Sequence, residues 1–92
     1  MNRQEILDAS RDCITRDRAA THGDAEDNFA QIAAVWTWWL NERLSAPVTS
    51  YDVAQMMSLF KKARAKANKH HIDNFVDDAS YSVLAGEIAN SD

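Results

Sequence analysis

Two glycines (Gly23 and Gly86) and one proline (Pro47) are all that the 92-residue chain contains of the two residues that most readily break regular backbone. A β-sandwich or barrel of this length needs turn residues every ten positions or so, because each short strand must be reversed. That supply is missing, so the chain is restricted to long helices with few connections: an all-α fold. The length admits one hydrophobic core, hence a single domain over residues 1–92. A hydrophobic share of 46% beside 26% charged residues is ordinary for a globular protein and too apolar for a disordered one.

Apolar periodicity divides the chain into four helical segments. From about Arg3 to Ala20, Ile6, Leu7, Ser10, Cys13 and Ile14 trace one face at i, i+3/i+4 and i+7. Thr21-His22-Gly23-Asp24 interrupts it, with Gly23 suited to a left-handed stop and Asp24 to an N-cap. The second segment, Ala25 to Leu44, repeats Phe29, Ile32, Ala33, Trp36, Trp39, Leu40 and Leu44 near the ideal 3.6-residue spacing and is expected to be the central core helix. Thr49-x-x-Asp52 has the spacing of a capping box and predicts a third helix starting there and reaching about Asn68. Val53, Met56, Met57, Phe60, Ala63 and Ala67 form its apolar face. The fourth helix, to about Ala89, carries Ile72, Phe75, Val76, Ala79, Val83 and Gly86, widened by Tyr81, Leu84 and Ile88. Short connections set neighbours antiparallel, so a small up-and-down four-helix bundle is the economical arrangement, and a looser helical array is the alternative.

Cys13 is the only cysteine, which rules out an intramolecular disulfide and a Cys-rich zinc site within one chain. Its place on the apolar stripe predicts a buried, unreactive thiol. With no signal-peptide core and no run of eighteen apolar residues, the expectation is a cytoplasmic protein that engages no membrane. Net charge is −4, but Lys61, Lys62, Arg64, Lys66 and Lys69 fall within nine positions and leave the remainder with five basic against fourteen acidic residues, about −9. An acidic total argues against broad, sequence-independent DNA binding, which depends on neutralising many phosphates at once. A local anion site stays open.

The third and fourth helices hold the most informative polar pattern. Lys61, Arg64 and Asn68 recur at i, i+3 and i+7, while Asp73, Asp77 and Tyr81 recur at i, i+4 and i+8. In an antiparallel hairpin the two stripes can face each other, with Asn74 beside them. Such a seam is either an anion or phosphate site built on Lys61 and Arg64, with Asp73 and Asp77 fixing geometry or holding magnesium, or a half-exposed ion-pair clasp. Asp24, Glu26 and Asp27 open the second helix, where carboxylates suit the free amides and the dipole. Joined to Asp73, Asp77 and Asp78 they would offer oxygen ligands to a divalent cation. Adjacent His70 and His71 point about 100° apart on a helix and do not chelate together, so no metal is expected there. His22 is a further ligand candidate by its place beside Gly23; no catalytic residue is identified. Trp36 and Trp39 are expected in the core, which leaves Trp38, beside Val35, on a second face fit for a protein interface or homodimer seam.

Taken in order, Arg18, Thr21-His22-Gly23-Asp24, Asn28-Phe29, Ile32-Ala33, Trp36, Asp52-Val53-Ala54, Met56-Met57, Lys61, Ala63-Arg64, Asp73-Asn74, Asp77 and Tyr81 resemble a family of small phage- and prophage-encoded helical proteins. Ser80 stands where that family's pattern has glycine. The resemblance spans most of the chain and implies a lineage, with no activity attached to the group. The layout is also distantly similar to MazG-like all-α nucleoside triphosphate pyrophosphatases, which gather acidic residues from two helices around magnesium, although their E-E-x-x-E and E-x-x-D motifs are absent here. Three functions are therefore expected in turn. The first is a non-enzymatic accessory protein acting on a host protein or defence component, in the host cytoplasm, through an acidic or aromatic surface. The second is a nucleotide-binding protein, sequestering or magnesium-dependent, using the two stripes. The third is a structural homodimer module.

Overall fold

The computed structural model describes residues 1–17 and 25–91. The expected break at residues 21–24, with His22, the Gly23 stop and the Asp24 cap, lies outside the described residues.

Four α-helices and no strand make up the described residues. Helix α1 spans Arg3–Asp12 and is started by a capping box: the Glu5 amide donates to Asn2 Oδ1 at 2.9 Å and the Asn2 amide donates to Glu5 Oε1 at 3.2 Å. It continues into a π-helical stretch, Cys13–Asp17. Helix α2 spans Ala25–Leu40 and ends in a 3₁₀ turn, Asn41–Arg43, short of the expected end at Leu44. Asn41 has φ 46°, a left-handed backbone that its short amide side chain tolerates better than most residues do. Helix α3, Ser50–Ala67, starts on the predicted Thr49/Asp52 capping box, with both reciprocal bonds present. Helix α4 spans Ile72–Ala89.

The α3/α4 hairpin is the spine of the fold. α2 packs mainly on α3 and lightly on α4, whereas α1 packs only on α4, and α1 and α2 do not touch each other among the described residues. The helices therefore run α1, α4, α3, α2 across an open array; the bundle does not close. Its radius of gyration of 14.1 Å exceeds the roughly 12 Å expected for a compact chain of this length.

The core lies where α2 meets the start of α3 and the end of α4. Phe29 and Ala33 of α2, Val53 and Ala54 of α3, and Ala85 of α4 are buried there, flanked by Ile32, Trp36, Met57, Tyr81, Leu84 and Ile88. Alanines on three helices allow close approach, and the Phe29 ring fills the space they leave, tilted 44° against Tyr81 at 6.1 Å between centroids.

Several expected core residues face outward instead. Trp39 is 69% exposed, because Trp36 occupies the core seat and the last turns of α2 turn Thr37 toward the connection, where its hydroxyl accepts from the Val48 amide at 2.9 Å. On α3 the inward face is Val53, Ala54, Met57, Ser58 and Lys61, while Met56, Phe60, Ala63 and Ala67 are exposed together with Leu59. On α4 the inward face holds Asn74, Val76, Ser80, Tyr81 and Ala85, and Phe75, Val83 and Gly86 are exposed. Both helices are rotated from the phase that apolar periodicity predicts, because the hairpin closes on polar partners. Leu7 of α1 likewise points to solvent.

Candidate functional site

The antiparallel α3/α4 hairpin carries the polar stripes, and its geometry sorts their members. Lys61 Nζ lies 2.8 Å from Asp77 Oδ2, with the lysine side chain 15% and the aspartate side chain 33% exposed. One helical turn toward the core, Ser58 Oγ donates to Asp78 Oδ1, and Lys62 Nζ bonds the other oxygen of the same carboxylate. Ser82 lies 3.4 Å from the Ser58 hydroxyl. Both aspartates are thus matched by lysines, and a charge-assisted row joins the middle of α3 to the first half of α4. Across the other face of α4, Ser80 Oγ donates to the Val76 carbonyl at 2.7 Å and accepts from the buried Ser10 hydroxyl of α1 at 2.9 Å.

The remaining stripe residues part company. Arg64 stacks over Phe60, its Cζ 4.6 Å from the ring centroid, and makes no ion pair among the described residues. With Ala67, Asn68, His71 and Asn74 it lines an open depression of about 350 Å³ at the turn between the two helices. Asn74, on the floor of this depression, is only 4% exposed. Asp73 turns away from this group: its side chain is 72% exposed, and His71 Nε2 lies 3.9 Å from its Oδ2. Tyr81 joins the core against Phe29 and does not extend the acidic stripe. Lys61 and Asp77 are therefore brought together, as are Arg64, Asn68 and Asn74, whereas Asp73 and Tyr81 leave both groups. His22 lies outside the described residues.

Ser58, Lys62 and Asp78 were not among the residues that the two stripes singled out. Ser58 and Lys62 stand at i, i+4 on one side of Lys61, and Asp78 follows Asp77, so a second polar row was present in the spacing. Glu26 and Asp27 occupy the first turn of α2, as the dipole favours. Among the described residues, no three His, Cys, Asp or Glu side chains converge to hold a metal ion. No helix among them is long and apolar enough to cross a membrane.

The outer face of α2 presents a different chemistry. Val35, Trp38 and Trp39 are all exposed, Trp38 by 74%, and the two indoles pack on each other at 6.2 Å between ring centroids and 52° between planes. Beside them, Gln31, Ile32, Val35 and Trp36 line a shallow, mostly apolar depression.

Comparison with known proteins places this architecture in a lineage. The chain is 38% identical over 77 residues to the Gene 55 protein of Mycobacterium phage L5, covering 84% of this chain and 47% of that protein. It is 33% identical over 79 residues to the Gene 55 protein of Mycobacterium phage D29, covering 86% and 50%. The chain thus spans about half the length of these curated relatives. No solved structure matches it. The model of the domain of unknown function DUF6378 matches residues 5–89, nearly the whole hairpin array with both flanking helices, and the chain belongs to that family.

Proposed function

We propose that this is a phage-type accessory protein, without catalytic activity of its own, that acts by docking on another protein through Val35, Trp38 and Trp39 of α2. The observation that carries this reading is the pair of neighbouring, outward-facing indoles on a helix whose core seat is already taken by Trp36. Tryptophan is the residue most enriched among interface hot spots, because its large ring gains much from desolvation and loses little conformational entropy. Glu26 and Asp27 of α2 and Glu42 of the following turn are exposed on the same segment, so a basic surface on the partner is favoured. The phage origin of the related Gene 55 proteins supports a host protein or defence component as that partner. The stripes favour this reading too, since two lysines and two aspartates are spent on one another. The test is affinity capture from host lysate with the wild type and with Trp38→Ala. A specific protein retained by the first and lost with the second is expected; the absence of any specific partner would sink the reading.

A second reading rests on Asn74. A buried carboxamide that lines an open depression with Arg64, Asn68 and His71, beside an α4 N-terminus that lacks a side-chain cap, is a favourable place for a phosphate. Under it the protein binds a nucleotide, either to sequester it or, with magnesium, to act as a MazG-like pyrophosphatase. Thermal shift against nucleotides with and without magnesium tests this: stabilisation that disappears in Arg64→Ala supports it, and no shift with any nucleotide rejects it.

A further inference from the structure

We infer that the exposed stripe of α3 is a self-association seam, and that two copies of this chain pair antiparallel along Met56, Leu59, Phe60, Ala63 and Ala67 with the twofold axis near Leu59. The inference goes beyond the docking surface of α2 and uses none of its residues.

The first observation is the stripe itself. Positions 56, 59, 60, 63 and 67 repeat at i, i+3, i+4, i+7 and i+11, the spacing of a buried helix face, yet all five are exposed and Leu59 is 63% so. The inward face of the same helix is fully used by the core and the α4 row, so α3 carries two packing faces and one is uncovered.

The second is area. The chain exposes 6597 Å², against about 5,400 Å² for a compact monomer of 10.4 kDa. The excess of about 1,200 Å² is more than the roughly 800 Å² that each partner contributes to a standard interface. A second copy laid on the α3 stripe would cover part of that surplus by symmetry.

The third is charge. The basic residues of α3 lie in its C-terminal half, whereas Asp52 stands in its first turn. A parallel pair would set Arg64 and Lys66 against their own copies. In the antiparallel pair, Lys66 meets the partner's Asp52: both residues flank the same edge of the stripe, and their positions are equidistant from Leu59.

Sedimentation equilibrium of the full chain at micromolar concentration reads the mass, and a value twice 10.4 kDa is expected. Leu59→Glu puts two carboxylates at the axis and is expected to weaken association by about a hundredfold or more, with helix content by circular dichroism unchanged because the residue makes no core contact. In a Cys13→Ser background, Leu59→Cys is expected to cross-link under mild oxidation and Ala67→Cys is not. In the antiparallel pair the two copies of position 67 lie about 24 Å apart along the axis, beyond the roughly 7 Å that a disulfide spans. A wild-type monomer, a dimer indifferent to Leu59→Glu, or cross-linking at position 67 as readily as at 59 each overturns the inference.

Discussion

Lys61 and Asp77 meet across the α3/α4 hairpin at 2.8 Å, and little of the lysine reaches solvent. Removing either partner alone leaves a half-buried charge without its counterion. Asp77→Ala is expected to cost about 1–3 kcal/mol, below the 3–5 kcal/mol of a fully buried pair. The double variant Lys61→Met/Asp77→Leu should lose less than the two single losses summed. Urea unfolding with an unchanged m-value is the measurement. Additive losses would mean that the pair is not coupled.

The serine contact between α1 and α4 makes an asymmetric prediction. Ser10 donates to Ser80, which donates onward to the Val76 carbonyl. Ser80→Ala strands the buried Ser10 hydroxyl and is expected to cost about 1–3 kcal/mol, while Ser10→Ala/Ser80→Ala together should cost less than Ser80→Ala alone. Equilibrium denaturation of the two variants beside wild type separates these outcomes.

The three tryptophans divide by role. Trp38→Ala and Trp39→Ala are expected to stay within about 0.5 kcal/mol of wild type, as exposed positions do. Trp36→Ala opens the edge of the core and should cost about 2–4 kcal/mol. Iodide should quench most of the wild-type indole fluorescence and much less of it after Trp38→Phe/Trp39→Phe. Equal losses at all three positions would contradict the exposed placement of Trp38 and Trp39.

Gly86 lies on the exposed side of α4, and a methyl group added there meets nothing within 4 Å. Gly86→Ala should therefore stabilise the protein by about 0.5–1 kcal/mol through the backbone entropy of the unfolded chain. A raised thermal midpoint is expected. A lowered one would mean that this position is covered in solution.

Local signals in the sequence carried the helices well, because caps act within four residues. Thr49 and Asp52 mark the start of α3 to within one position, and Ile72 and Ala89 bound α4 as the periodicity predicts. α2 ends before its apolar period does, since Leu44 keeps that period after the backbone has turned at Asn41. Rotation about the helix axis was harder to read. An apolar stripe shows which face avoids water, and Met56, Phe60 and Ala63 satisfy that rule whether the covering surface belongs to the same chain or to another. Lys61 and Asp77 were legible as opposite charges on facing helices. Arg64 instead lies over the Phe60 ring, a contact between neighbours one turn apart that no charge pattern encodes. Asp73 left the group because the first turn of α4 points it outward.

Among the described residues α1 is attached to a single helix, α4, and this divides the cost of opening the molecule into two tiers. Peeling α1 from α4 uncovers one flank of one helix and breaks the Ser10–Ser80 link, yet leaves Phe29, Val53 and Ala85 enclosed. Amide hydrogen exchange should therefore run faster across Arg3–Asp12 than across the middles of α3 and α4, in proportion to a partial opening and not to global unfolding. In such an opening α1 acts as a cover over the Val76–Ser80 flank of α4, and among the described residues it is α1 and its Cys13–Asp17 extension that a competitor for that flank must displace.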